Sequence, residues 1–184
     1  MSLTPIKLTY AEFCALPETV QPHELINGEL RMPAAPNRKH QMVLGNLYAL
    51  LRTYVRERNL GWVYFAPIDV VLDRDRPLVL QPDLLFVSRE RAHLLGERIF
   101  GAPDLVVEIF SPGGATFDRT EKAAWYAQYG VREYWLVDPE AETVEVRRLE
   151  PGGYELLGVY RRGDTLRSAL LSEFALPISE VFVE

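Results

Sequence analysis

Three charged residues stand where the sequence otherwise predicts burial, and their types could bind a metal ion and a phosphate. Asp83 follows Pro82 in an apolar stretch, Glu108 lies inside the run Leu105–Phe110, and Lys122 lies in the helical segment that follows. A carboxylate in a doubly buried strand is destabilising unless it is paired, protonated or bound to a metal. Two such carboxylates on neighbouring strands therefore predict a divalent cation. Few oxygen ligands, with waters completing the coordination shell, suit Mg²⁺ or Mn²⁺.

Lys122 is one of only three lysines in the chain. At helical spacing it shares a face with Asp118, Trp125, Tyr126 and Tyr129, which is the aromatic side expected to face the core. Lysine is rarely buried without a partner. Beside two carboxylates and a metal ion it could orient a nucleophilic water or stabilise the charge on a pentavalent phosphorus. The alternative is an ion pair with Asp118, and this pair is compatible with a catalytic role.

Periodicity and turn signals predict the elements that position these residues. Asn27-Gly28 predicts a two-residue hairpin in which Ile26 faces Glu29, Leu25 faces Leu30 and Glu24 faces Arg31. Helices are predicted at 9–16, 39–58, 88–95 and 118–129, and strands at 62–73, 79–87, 104–110, 133–137, 144–149, 154–160 and 166–174. Pro67 is expected to break or bend its strand, and Pro82 suggests an edge strand or a bulge. This order predicts a mixed α/β sheet flanked by helices.

Length and composition bound the class of protein. The 184 residues suit one domain, 1–184, with a net charge of −6 that argues against tight DNA binding by the whole surface. A local basic stripe remains compatible with that charge. The single cysteine, Cys14, excludes a disulfide framework and a cysteine-built zinc site. No apolar run is long enough for a membrane span, and the N-terminus does not resemble a signal peptide. We therefore expect a cytoplasmic protein.

Several segments carry a resemblance to a known family. They are QPDLLFVSRER (81–91), GAPDLVVEIFSP (101–112) and DRTEKAAWYAQYGVREYWLVDP (118–139), with HELINGELRM and RKHQMVLGNL upstream. Over residues 18–175 the chain resembles the Uma-type family of restriction endonucleases, a branch of the PD-(D/E)XK nuclease superfamily. The resemblance implies a restriction-endonuclease-like α/β core at about 38–139. A helix and hairpin (9–32) would precede this core, and a β-rich tail (140–184) would follow it.

The resemblance also implies an activity, namely metal-dependent hydrolysis of DNA phosphodiester bonds. Asp83 and Glu108 match the two acidic residues of the superfamily, and the backbone carbonyl of Ile109 would be a third metal ligand. The superfamily places a lysine two positions after the second acidic residue, but this chain has Phe110 there. Several branches supply the lysine from the following helix, where Lys122 is the matching residue. Lys122 would orient or deprotonate the attacking water.

Two further residues are candidates for the site. Glu24 belongs to the hairpin of the family pattern and could bind a metal ion or a water. His40 lies on the inward face of its helix and could contact the scissile phosphate or a carboxylate. The alternatives are a cross-strand pair of Glu24 with Arg31 and a core position for His40. For Asp83 the alternative is a turn-proximal residue at a strand start, and Glu108 could face a solvated patch.

Function also has alternatives. Phe110 and the acidic net charge favour a nuclease-fold protein without cleavage, acting as a DNA-binding or dimeric module, whereas the retained Lys122 favours an enzyme. The carboxylates could also bind another phosphate or metal. A homodimer is expected through the tail, where Tyr154, Leu156 and Tyr160 could form an interface.

Overall fold

The computed structural model describes residues 7–17, 23–33, 35–111 and 114–184. Its helices are α1 (Tyr10–Cys14), α2 (Arg38–Glu57), α3 (Ala115–Phe117), α4 (Ala123–Tyr129) and α5 (Ile178–Val181), with a 3₁₀ helix at Arg89–Leu94 and a π-helical turn at Asp118–Lys122. Its strands are β1 (Glu24–Ile26), β2 (Glu29–Arg31), β3 (Gly61–Phe65), β4 (Val70–Asp73), β5 (Leu78–Leu80), β6 (Leu84–Ser88), β7 (Ile99–Phe100), β8 (Leu105–Ile109), β9 (Glu133–Asp138), β10 (Thr143–Glu150), β11 (Gly153–Arg161), β12 (Thr165–Arg167) and β13 (Ala175–Pro177). Among these described residues, no helix has the length and apolar character needed to cross a bilayer.

Two mixed sheets form the centre of the molecule. The larger sheet has the order β11-β10-β9-β8-β6-β3, in which only the β8–β9 pair is parallel. The smaller sheet has the order β2-β1-β5-β4-β7, in which only the β4–β7 pair is parallel. This arrangement confirms the prediction of mixed α/β sheets flanked by helices.

Strand β8 is buried on both faces, as its apolar sequence predicts. Leu105, Val107 and Ile109 share one core with the apolar side chains of α2, while Val106 and Phe110 belong to a second core that includes α4. Side chains alternate along a strand with a period of two. Glu108 therefore belongs to the α4 side of β8.

The chain passes from one sheet to the other at Pro67 and at Pro82, the two prolines that were expected to interrupt or distort a strand. The predicted strand 62–73 is two strands in different sheets, β3 and β4, with Pro67 between them. The break predicted at Pro67 is thus confirmed, whereas the predicted single strand 79–87 is wrong. It is β5 in the smaller sheet and β6 in the larger one, separated by Gln81, Pro82 and Asp83. Proline has no N–H to donate to a ladder, and here it marks the point where strand pairing stops.

The predicted helix 118–129 is longer and irregular. Helix α3 runs through a π-helical turn into α4, which ends at Gly130 with a positive φ of 91°. Asp118 and Lys122 both lie in the π-helical turn and are both buried. Turns of this kind are frequent at functional sites.

The predicted strand 166–174 is wrong. Strands β12 and β13 form a small antiparallel hairpin, and the chain between them turns. Polar side chains accept hydrogen bonds from the backbone N–H groups of this turn. The Ser168 hydroxyl accepts from Leu170 and Leu171, and the Glu133 carboxylate accepts from Ala169 and Leu170. Those N–H groups are therefore not available for a strand ladder.

The hairpin prediction is confirmed in register. Glu24 lies opposite Arg31, Leu25 opposite Leu30, and Ile26 opposite Glu29. Asn27 and Gly28 have φ values of 51° and 86°, the two positive values that a type I′ turn requires. Glu24 and Arg31 therefore lie on the same face of the hairpin, at its open end.

Candidate active site

A cleft of about 380 Å³ opens between the hairpin, the start of α2 and the π-helical turn. Four carboxylates and one lysine line it, and they come from separate parts of the chain: Glu24, Asp83, Glu108, Asp118 and Lys122. All three residues on which the sequence argument rested therefore meet in one place. Glu24 and His40, the two additional candidates, line the same cleft.

Asp83 does not lie inside a strand, contrary to the prediction. It directly precedes β6, which is the strand-start position of the alternative interpretation, and its side chain is 18% exposed. Its Oδ2 accepts a hydrogen bond of 2.7 Å from the backbone N–H of Ile109, and its Oδ1 lies 3.3 Å from Nε2 of His40. The break between β5 and β6 turns this carboxylate into the cleft.

Glu108 is buried in β8 and is 3% exposed, so the solvated-patch alternative is wrong. Its Oε1 accepts hydrogen bonds from the Tyr126 hydroxyl at 2.7 Å and from the Lys122 ammonium at 3.0 Å. Burial raises the pKa of Glu108 well above its ordinary value, Lys122 opposes this, and the neighbouring carboxylates add to the rise.

Lys122 lies at the centre of the carboxylate cluster. Its Nζ lies 3.0 Å from Glu108, 3.1 Å from Glu24 and 3.7 Å from Asp118, so three carboxylates surround the ammonium group. The pair with Asp118 that the spacing suggested is thus present and is one of three. Burial lowers the pKa of Lys122, but the three carboxylates outweigh burial and raise it above its ordinary value. Lys122 is therefore a stable cation.

Glu24 does not pair across the hairpin with Arg31, although the two residues are in register. Its carboxylate is buried and contacts Lys122, and its Oε1 accepts a hydrogen bond of 3.3 Å from the backbone N–H of Gln81. The guanidinium group of Arg31 lies over the ring of Phe117 instead. Glu24 therefore belongs to the carboxylate cluster.

His40 satisfies both interpretations given to it. It is buried in the first turn of α2, with only 4% of its surface exposed, and its Nε2 contacts the carboxylate of Asp83. Within the described part of the chain, its buried Nδ1 has no hydrogen-bond partner. The expected contact with a carboxylate is thus confirmed.

Sequence reasoning did not assign a site role to Asp118 or to Tyr126. Asp118 was recognised only as a partner of Lys122, yet burial raises its own pKa, with Lys122 opposing the rise. Tyr126 was recognised only as a core aromatic, yet its hydroxyl binds Glu108. The four-residue spacing of both from Lys122 was the signal available, because residues four apart share a helix face.

Three further residues, Phe110, Arg119 and Asp104, have structural roles outside the cleft. Phe110 packs into the core under the guanidinium group of Arg119, so position 110 supplies no charge to the cleft. Arg119 pairs with Glu145 rather than pointing into solvent. Asp104 is fully buried and accepts a hydrogen bond of 2.8 Å from the Ser88 N–H.

Comparison with known proteins identifies the family of the chain and a solved structure of the same fold. The Uma2 family model, described as "Putative restriction endonuclease", matches residues 10–179. No curated protein matches the chain. A crystal structure from Anabaena variabilis, described as "a putative nuclease belonging to DUF820", has a TM-score of 0.79 and 23% sequence identity, over 97% of this chain and 98% of that one. The structural likeness shows a shared fold. Since the family match spans nearly the whole sequence, the chain belongs to the Uma2 family.

Proposed function

We propose that this chain is a divalent-metal-dependent endonuclease that hydrolyses DNA phosphodiester bonds in the cleft. The observation that carries the proposal is that four carboxylates and one lysine line the same open cleft, with three of the carboxylates around the lysine ammonium group. These groups come from positions 24 to 122 of the chain, and their burial is costly for folding alone. Family membership supports a nuclease independently of that geometry.

The oxygen donors of the cleft fit Mg²⁺ or Mn²⁺. Tyr126 and Lys122 both donate to Oε1 of Glu108, so the hydrogen bonds of the described residues leave its Oε2 unused. The Ile109 N–H fixes Oδ2 of Asp83, and its Oδ1, which lies 3.3 Å from Nε2 of His40, would be shared between His40 and the cation. Outside the undescribed segments, no group of three or more His, Cys, Asp or Glu side chains is arranged to hold a metal. Two carboxylates and the Ile109 carbonyl suit a cation that keeps several waters.

Four residues of the cleft then have a defined task. Asp83, Glu108 and the Ile109 carbonyl would hold the cation. When bound, such a cation supplies charge stabilisation at a phosphoryl oxygen and a more acidic water. Lys122 keeps its proton because its pKa is raised, which favours an orienting role over deprotonation of the water. Hydrolysis would form a bond between the phosphorus and the oxygen of an in-line water and break the P–O bond to the leaving nucleotide, whose oxygen would take up a proton.

The expected DNA affinity is low, because the net charge is −6 and the cleft floor is acidic. Duplex binding should show a shallow dependence on salt, typical of few phosphate contacts. A homodimer through the tail stays a prediction. Leu156 supports it, since 56% of its surface is exposed on the edge strand β11, whereas Tyr154 is occupied within the chain by stacking on Tyr134.

A second candidate function is a DNA-binding or dimeric module without cleavage. It is favoured by Phe110, which occupies the usual lysine position and is packed into the core. It is also favoured by Lys122, whose ammonium group is surrounded by carboxylates. The two functions differ in one measurable respect, because only the enzyme turns over DNA.

A plasmid-nicking assay separates the two functions. Wild type should convert supercoiled plasmid to the nicked form with Mg²⁺ or Mn²⁺, and not with EDTA. Asp83→Asn and Glu108→Gln should each abolish nicking while remaining folded, whereas Glu140→Gln, at an exposed position, should keep wild-type activity. Equal nicking by wild type and the two cleft variants would reveal a contaminating nuclease. No metal-dependent nicking by pure wild type would favour the module without cleavage.

A further inference from the structure

Arg31 is a cation in the cleft whose side chain has no role in the arrangement described so far. It ends β2, lies directly opposite Glu24 in the hairpin and lines the cleft. Residues opposite each other in an antiparallel pair have Cβ atoms about 4.5–5.5 Å apart. Asp118 and Lys122 line the same cleft.

The other basic groups of the cleft are already occupied. Lys122 contacts three carboxylates, and His40 contacts Asp83. Among the described residues no carboxylate forms an ion pair with Arg31, and its Nη1 atom is buried without a hydrogen-bond partner. A buried donor with no acceptor is unfavourable for folding, so the folded chain alone does not explain this side chain. An anionic ligand would supply the missing acceptor.

The guanidinium group of Arg31 packs on the ring of Phe117. The guanidinium carbon lies 3.3 Å from the centre of the Phe117 ring. Stacking on an aromatic face uses the flat side of the guanidinium group and leaves its N–H edge available. That edge matches two oxygens of a phosphate, and fixing it in advance lowers the entropy lost on binding.

We infer that Arg31 is a substrate-binding residue that donates to the non-bridging oxygens of the phosphodiester held above the carboxylate cluster, with Phe117 as its positioning residue. This inference rests on the proposed nuclease function and adds the group that recognises the phosphate. The ligand class is a nucleic-acid phosphodiester, as the proposed nuclease function requires, and the neighbouring carboxylates would repel this anion unless a divalent cation came with it. Arginine suits this task better than lysine, since its fork is planar and bidentate.

The test is binding of a short fluorescent DNA duplex, followed by anisotropy in Ca²⁺ over a range of salt concentrations. Arg31→Met should weaken binding by about 10- to 100-fold, the range expected for a lost hydrogen bond to a charged group. It should also reduce the slope of log K against log salt by about 0.9, the value for one phosphate contact on B-DNA. The DNA affinity of Arg31→Lys should lie between those of wild type and Arg31→Met, because lysine keeps the charge and loses the planar fork of donors. Phe117→Leu should weaken binding less than Arg31→Met.

Arg167→Met is the matched control, because Arg167 is exposed on β12 and outside the cleft. It should bind DNA like wild type. Metal-free thermal stability supplies the readout for a structural role, and Arg31→Met should leave the Tm unchanged or raise it. Equal affinity and slope for Arg31→Met and Arg167→Met would overturn the inference, and so would a marked fall in Tm for Arg31→Met. Should Arg31→Met not fold, DNA affinity of Arg31→Lys equal to wild type would overturn it.

Failure of this inference is distinguishable from failure of the proposed function. If Asp83→Asn abolishes nicking but Arg31→Met nicks with unchanged KM, the result supports the nuclease function and contradicts the proposed role of Arg31. If no variant nicks but DNA binding depends on Arg31, the phosphate contact stands and the nuclease falls.

Discussion

Replacement of Lys122 by methionine removes the cation at the centre of the carboxylate cluster. Lys122 is 6% exposed, and Glu108 and Glu24 lie 3.0 and 3.1 Å from its Nζ. Methionine fills a similar volume without charge, so the variant leaves like-charged groups facing one another. Removing one partner of a buried ion pair costs about 3–5 kcal/mol. We expect that loss in the free energy of unfolding in EDTA at neutral pH, which is about 6–20 °C in Tm for a domain of this size.

The loss should depend on pH in a defined direction. Burial raises the pKa of Glu108 and of Asp118, and Lys122 opposes both rises, so both pKa values should rise further in the variant. A carboxyl group with a raised folded-state pKa binds protons more tightly when folded. Its stability contribution is therefore lost as pH rises from the unfolded pKa to the folded pKa. The difference between wild type and Lys122→Met should thus grow as pH rises above the unfolded-state pKa of a glutamate, about 4.3, and shrink toward that pH.

Urea denaturation followed by circular dichroism at several pH values measures this difference. Lys39→Met is the matched control, because Lys39 pairs only with the exposed Glu140 among the described residues, and such pairs contribute about 0–1 kcal/mol. The reasoning would be refuted if Lys122→Met were as stable as Lys39→Met at neutral pH. A deficit that stayed constant down to acidic pH would also refute it, because the loss would then not come from carboxylate repulsion.

Three further substitutions test separate parts of the structure. Tyr126→Phe removes the hydroxyl that binds Glu108 and should lower the free energy of unfolding by about 1.5–3 kcal/mol in urea, so an unchanged midpoint would contradict this hydrogen bond. Asp104→Ala removes a fully buried carboxylate outside the cleft. It should cost about 2–3 kcal/mol yet leave stabilisation by Mn²⁺ intact, and loss of the Mn²⁺ effect in thermal melts would contradict its structural role. Gly28→Ala should cost at least about 1 kcal/mol in urea, because φ is +86° and a Cβ would lie 3.0 Å from the Leu8 carbonyl; wild-type stability would contradict the turn.

Features set by neighbouring residues could be predicted from the sequence. The Asn27-Gly28 hairpin was correct in every pair, because a type I′ turn fixes its own register. Helix α2 was predicted at 39–58 and spans Arg38–Glu57, because its apolar spacing is regular along its length. The central location of Glu108 was also correct, because an apolar run around a carboxylate is a strong local signal.

Features set by distant residues could not be predicted. The segment 79–87 has a continuous strand composition, and only its partners, β1 and β4 on one side and β3 and β8 on the other, assign its halves to different sheets. The partner of Glu24 was equally non-local. Its cross-strand neighbour Arg31 is in register. However, Arg31 packs on Phe117 and Glu24 binds Lys122, and both of these partners lie about ninety residues later in the chain.

Stabilisation by Mn²⁺ in the absence of any substrate tests the proposed metal site most directly. The measurement is the thermal stability of wild type and Asp83→Asn in EDTA and then with Mn²⁺. The amide side chain of this variant would keep an oxygen acceptor for the Ile109 N–H, so the EDTA-treated variant should match wild type or exceed it. Mn²⁺ should stabilise wild type by about 2.7 kcal/mol at a hundredfold excess over Kd and do little for the variant. Equal stabilisation of both proteins, or a loss of more than about 2 kcal/mol for Asp83→Asn in EDTA, would contradict the account.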